Sequence, residues 1–267
     1  MPECLGIIGC GRMANAIIKG IGSDKAGFTD ILVNDIDESK ALIFSQQYSV
    51  KPVSCEELIK ECNTIVLAVK PYQITPLLIG FKNLWHPRQL LVSIAAGLKI
   101  ATIEEATNYQ LPVVRVMPNT PCLVGQGIAA VAAGSKATDQ DVNLVLNLFN
   151  RLGRAIKIEE KYMDAVTAVS GSGPAYVFLV VEAFINAALQ VGLDLNLAQE
   201  LVIKTMQGSL AMLEQSGEHP AVLRQDVSSP GGTTIAGVRE LENNGLRKAF
   251  FDAVESAYNK SIELGQD

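Results

Sequence analysis

The stretch LGIIGCGRMANAI, residues 5–17, constrains the fold of this 267-residue chain more than any other. A β-branched run ends on Gly9, a second glycine follows at Gly11, and Ala14 sits in an apolar helical pattern. This is the G-x-G-x-x-G/A arrangement between a strand and a helix. Each small residue has its own physical duty. Gly9 makes a tight turn, Gly11 leaves no side chain in the way of a pyrophosphate, and Ala14 lets the helix lie close to the strand. The free N–H groups of that helix, with their partial positive charge, then favour phosphates. Ile8, Cys10, Arg12 and Met13 complete the candidate turn. The competing reading is a strand-to-helix turn with no ligand.

From Leu5 to about Ile158, short β-branched runs alternate with helical patterns, the signature of parallel βαβ units. Strands are predicted at 5–9, 30–34, 64–69, 90–96, 112–118 and 127–134. Their continuous apolar character predicts burial on both faces, hence an α/β fold with a Rossmann-type doubly wound parallel sheet. Beyond about Lys161 the strand runs stop. Helices are predicted at roughly 161–169, 174–191, 196–215, 234–243 and 246–264, an all-α half. The division is a dinucleotide-binding domain at 1–160 and a helical dimerisation and substrate domain at 161–267. These helices carry more Ala, Val, Leu and Phe than a lone helical domain needs, which implies packing against a second copy. The most apolar segment, 175–192, contains Glu182 and Asn186 and reads as a buried helix rather than a membrane span.

Composition narrows the function classes. Hydrophobic residues at 48% and charged ones at 19% suit a compact fold rather than a disordered chain. A net charge of −6 without a basic cluster argues against a nucleic-acid partner. Five cysteines (Cys4, Cys10, Cys55, Cys62, Cys122) form no C-x-x-C pair and no secretory signal precedes them, so reduced thiols in a cytoplasm are expected. The two histidines, His86 and His219, single out neither a zinc site nor a Ser-His-Asp triad, and no metal is expected.

The second strand ends on Asn34-Asp35, where dinucleotide folds test the adenosine ribose. A carboxylate there accepts hydrogen bonds from the ribose hydroxyls of NAD and repels the 2′-phosphate of NADP. Asp35 therefore leans towards NADH, while Arg12 and Lys40 offer cations to a 2′-phosphate. A loop or helix-cap role for Asp35 is the rival reading. Farther along, Ala68, Val69, Lys70 and Pro71 end one strand at the carboxyl edge of the sheet, where open α/β folds bind ligands. SIAAG, with Ala95 and Ala96, and MPNTP, with Asn119, end the next two with small or neutral residues that leave room for a flat ring.

Taken in order, IGCGRMA, LAVKP, SIAAG, VMPNTP, DAVTAVSGSGPAYVF and DVSSPGGTTIAGVREL resemble pyrroline-5-carboxylate reductase, the enzyme of the last step of proline biosynthesis. The resemblance runs nearly the whole chain, and its last two motifs are the family-specific ones. It implies a Rossmann domain followed by a helical domain that interlocks with a partner's in a homodimer. Such dimers often assemble further into a decamer. It implies NADP(H) or NAD(H) as cofactor and a small cyclic imine bearing a carboxylate as substrate. Asp35 departs from the pattern, since many relatives carry a residue friendlier to a 2′-phosphate there.

By the same resemblance Ser229, Gly231, Gly232 and Thr233 cradle the substrate carboxylate, and the Thr234 hydroxyl meets the ring nitrogen. A loop of free N–H groups and hydroxyls suits an anion, and a protonated imine is already activated for hydride, so no strong general acid is required. Lys70 gives electrostatic or proton-relay support, or else a structural contact to the cofactor. Because the loop belongs to the helical half, the site is expected to join one subunit's dinucleotide domain to the other's loop. SGSGP, 170–174, starts a helix near the same cleft, and Ser172 lacks the spacing of a G-x-S-x-G nucleophile. The rivals are a reductase of another cyclic imine and a non-catalytic dinucleotide-sensing protein. A β-hydroxyacid dehydrogenase would need a lysine that helices 163–191 lack.

Overall fold

The computed structural model describes residues 3–22 and 24–265. Strands and helices alternate through the first half: β1 (Cys4–Ile8), α1 (Arg12–Ile21), β2 (Asp30–Asn34), α2 (Glu38–Gln47), β3 (Lys51–Pro52), α3 (Cys55–Glu61), β4 (Thr64–Leu67) and α4 (Pro71–Gly80). They continue with β5 (Leu90–Ser93), α5 (Ile100–Ala106), β6 (Val113–Pro118), β7 (Gly127–Ala133), α6 (Asp139–Asn150) and β8 (Gly153–Lys157). The eight strands form one sheet in the order β3-β2-β1-β4-β5-β6-β7-β8. Successive side chains of a strand point to opposite faces. Leu5 and Ile7 of β1 therefore join one buried cluster with Val33, Val66 and Val92, while Cys4 and Ile8 join another with Leu32, Ile65 and Leu91. Both faces are covered by helices, and each fully buried aliphatic side chain contributes about 1.5–3 kcal/mol.

The sheet is mostly, not wholly, parallel. β7 pairs antiparallel with β6, and β8 runs parallel to β7. The reason is the short 119–126 connection, which cannot accommodate the crossover of a dozen or more residues that a parallel neighbour requires. Two strands also end earlier than expected, β4 at Leu67 and β5 at Ser93. Ala68, Val69, Lys70, Ala95 and Ala96 consequently lie in loops beyond the carboxyl ends of the strands, except that Lys70 already caps α4.

The remaining elements are helical: α7 (Met163–Val166), a π-helical turn over Thr167–Gly171, α8 (Gly173–Gln190), α9 (Leu195–Ser216), α10 (Pro220–Asp226), α11 (Thr233–Asn243) and α12 (Leu246–Leu264). Asp194 caps α9 by accepting the Leu197 N–H at 3.1 Å, and Gly217 ends it in the left-handed conformation. His219 is exposed and is the N-cap of α10, its Nδ1 accepting the Ala221 N–H at 3.2 Å.

By contacts the chain divides into two compact units, Met1–Pro174 with Ala257–Asp267, and Ala175–Ser256. Within the first, the buried Ser261 of α12 donates its hydroxyl to Asp164 Oδ1 at 2.8 Å, tying the end of the chain beside α7. Within the second, only Ala198 and Val202 are buried. The helix expected to be buried, α8, is exposed along its length: Phe178 keeps 66% of its surface and Leu179 65%. The run Glu160–Gln190 is long and apolar enough to cross a membrane by length and composition, with mean hydropathy 1.5. Apolar sequence signals a need for cover and is silent on what provides it.

Candidate functional site

Strand order reverses between β1 and its neighbours β2 and β4, so a crevice opens at the carboxyl ends of these strands. Gly9 occupies that point with φ +103°, a region L residues avoid. A Cβ there would sit 2.7 Å from the Ala68 carbonyl oxygen, and the Gly9 N–H donates to the Asn34 carbonyl at 2.7 Å. The turn is thus held against both neighbouring loops. Gly11, the N-cap of α1, differs: a Cβ built on it meets nothing within 4 Å, and no side chain caps the helix. Open space above an uncapped helix start, with Arg12 exposed and Ala14 fully buried behind it, is what a pyrophosphate requires. The residues fit a dinucleotide.

The end of β2 is bound to the same turn. Asp35 Oδ2 accepts the Cys10 N–H at 2.7 Å, and Oδ1 accepts the Asp37 N–H at 2.9 Å. Asp37, not Asp35, is the N-cap of α2, its Oδ1 accepting the Ser39 N–H at 3.2 Å. Asn34 donates its side-chain amide to the Val53 carbonyl at 2.9 Å and so joins β2 to the strand edge. The buried Cys10 thiol is pushed up to about 12, chiefly by burial and further by Asp35. It stays protonated.

Lys70 is exposed at the N-cap of α4, where Gln73 Oε1 accepts its backbone N–H at 3.0 Å, and Pro71 follows at the first helical position. Ala95 is buried and Ala96 half-buried after β5. Asn119, after β6, is buried, and its Oδ1 accepts the Ile128 N–H at 3.0 Å, which commits that oxygen to holding the β6–β7 connection. Ser172 ends the π turn, donating its N–H to the Thr167 carbonyl at 2.8 Å, and Gly171 packs on Met117 of β6.

In the second unit, Ser229, Gly231 and Gly232 lie between α10 and α11, and Thr233 and Thr234 open α11. Gly231 has φ +68°, and Gly232 is the N-cap of α11 with no side-chain cap. The first N–H groups of this eleven-residue helix therefore remain available beside the Thr233 and Thr234 hydroxyls. Ser228 is committed locally, donating its hydroxyl to the Arg224 carbonyl at 2.6 Å.

Sequence reasoning passed over Ile36, which is 94% exposed between Asp35 and Asp37, and the brace from Gln73 to Lys70. An apolar residue isolated between two acids was the available signal for the first. The capping pattern of a glutamine three residues into a helix was the signal for the second.

Comparison with known proteins places the chain in a family. A model described as pyrroline-5-carboxylate reductase dimerisation matches residues 160–264, and one described as NADP oxidoreductase, coenzyme F420-dependent, matches residues 4–97. Pyrroline-5-carboxylate reductase of Pisum sativum is 39% identical over 261 residues, 97% of this chain and 95% of that one. The crystal structure of Plasmodium falciparum pyrroline carboxylate reductase with NADP bound matches with TM-score 0.88 at 35% identity, covering 98% of each chain. The enzyme of Coxiella burnetii matches with TM-score 0.90 at 31% identity and 99% coverage of each.

Proposed function

The chain belongs to the pyrroline-5-carboxylate reductase family, and we infer from that membership that it reduces 1-pyrroline-5-carboxylate to L-proline at the expense of NAD(P)H. The observation that carries the reading is the glycine turn, forced left-handed at Gly9 and open at Gly11, in a chain that matches these reductases over nearly its whole length.

The dinucleotide, when bound, supplies a hydride to the imine carbon. Gly9, Gly11 and the first N–H groups of α1, with Ile8, Cys10, Arg12 and Met13 around them, hold its pyrophosphate. Asn34 and Asp35 border the adenosine end, and Ala68, Val69, Lys70, Pro71, Ala95, Ala96 and Asn119 border the nicotinamide end. Ser229, Gly231, Gly232 and Thr233 hold the substrate carboxylate at the start of α11, where backbone donors and the helix dipole favour an anion. The Thr234 hydroxyl bonds the ring nitrogen. A hydroxyl accepts from an iminium and also bonds an amine, so one group serves both ends of the reaction. Lys70 contributes positive charge near the substrate.

The helical half carries the family's dimerisation module, so the chain works as a homo-oligomer. A homodimer is the unit we propose, with dimers gathered into a decamer. Light scattering after size exclusion decides, a mass near ten times 28.6 kDa supporting the decamer and near twice that value limiting it to the dimer. Five free cysteines support a reducing, cytoplasmic setting, and the reading requires no nucleic acid and no membrane.

The reaction is tested by mixing the protein with pyrroline-5-carboxylate and either NADH or NADPH and following cofactor absorbance while proline is measured. Stoichiometric proline formation is expected. Cofactor binding without oxidation would favour a sensor, and faster turnover of a different cyclic imine would favour the other reductase.

A further inference from the structure

We infer that Asp35 makes this chain prefer NADH, one carboxylate both bracing the pyrophosphate turn and repelling a 2′-phosphate. The inference rests on the dinucleotide reading above and goes beyond it, because the Plasmodium relative was solved with NADP bound. β1 and β2 pair in parallel with Ile8 opposite Asn34, so Asp35 emerges beside the turn that follows Ile8. Its two oxygens are fixed there by the Cys10 and Asp37 N–H groups at 2.7 and 2.9 Å. Each oxygen retains a further acceptor position. Ribose hydroxyls can donate to those positions, whereas a phosphate ester has nothing to donate and brings a second anion.

The surroundings reinforce the charge. Asp37 and Glu38 follow Asp35 within three residues, and the nearest lysine in sequence, Lys40, lies 3.6 Å from Asp37 and is drawn to it. The start of α2, whose dipole would otherwise welcome a phosphate, is already capped by Asp37 and carries Glu38 in its first turn. Arg12, exposed at the start of α1 two residues beyond Cys10, is the opposing charge.

Fluorescence titration of the wild-type protein measures the two dissociation constants directly. NADH is expected to bind roughly tenfold tighter than NADPH at low salt, with the gap narrowing as added salt screens the repulsion. D35N keeps an acceptor for the Cys10 N–H and removes the charge. It is expected to raise NADPH affinity roughly tenfold while NADH affinity stays within about threefold. D35A also loses the brace, so both affinities fall. Wild-type protein that binds NADPH as tightly as NADH at low salt overturns the inference, and so does a folded D35N protein with the wild-type ratio. The wild-type ratio and its salt series stand whether or not a variant folds. Binding of neither nucleotide would overturn the dinucleotide reading as well. NADH preference without pyrroline-5-carboxylate reduction would uphold the inference and sink only the proposed reaction.

Discussion

Cys10 lies in the middle of the glycine turn with its thiol pushed up to about 12, first by burial and then by Asp35. At pH 8 roughly one such thiol in ten thousand is ionised. Iodoacetamide is therefore expected to leave Cys10 unlabelled in the native protein and to label it after denaturation, as read by peptide mass spectrometry. Rapid native labelling would mean that the turn opens. At the other set of residues, Thr234→Ala is expected to lower kcat roughly ten- to hundredfold, the size of one lost hydrogen bond to a charged group. The dinucleotide Kd should stay within about twofold, and unchanged turnover would remove Thr234 from the mechanism. The sequence made both groups visible as candidates but not their partners. In NDIDES two aspartates stand two residues apart, and which of them caps α2 depends on the bend after β2, a feature of the backbone rather than of residue type.

The two glycines of the turn separate stability from binding. Gly9→Ala places a methyl group against the Ala68 carbonyl in a backbone conformation with φ +103°. It is expected to cost about 1–3 kcal/mol of stability and to weaken dinucleotide binding with it. Gly11→Ala meets nothing in the chain and is extended at φ −87°. It should change the unfolding free energy by less than about 1 kcal/mol while lowering dinucleotide affinity strongly, because its methyl group enters the space assigned to the pyrophosphate. Urea denaturation with a parallel fluorescence titration compares the pair. Equal losses in both measurements would show that Gly11 is only structural. Elements of this kind were legible because β1, β2, β4 and β5 are largely apolar on both faces and β6 interrupts its apolar run only with Arg115. β3 escaped notice as an exposed Lys-Pro pair, and β8 because GRAIK carries two cations in five residues. The reversed direction of β7 comes from the length of a connection, which periodicity does not register.

At the scale of the whole molecule, the second unit leaves Phe178, Leu179, Val191, Leu210 and Phe251 exposed in a single chain. A water-facing surface of that character is characteristic of obligate assemblies. Phe178→Asp is expected to shift the protein to monomers in sedimentation velocity and to lower its melting temperature by several degrees, since a charge buried without a partner costs several kcal/mol. An unchanged oligomer would place the contact elsewhere. The change from strand to helix patterns near residue 161 was legible, but the contact division falls later, after Pro174. That 257–267 rejoins the first unit was not legible, because nothing in a helical pattern announces where the helix docks.

The hydroxyl of Ser261 on Asp164 has a kinetic corollary. A ribosome delivers the sheet first and the segment that completes its unit last, after every helix of the other unit has been made. Folding during synthesis can assemble most of the sheet early, but closure of that unit must wait until α12 has been made.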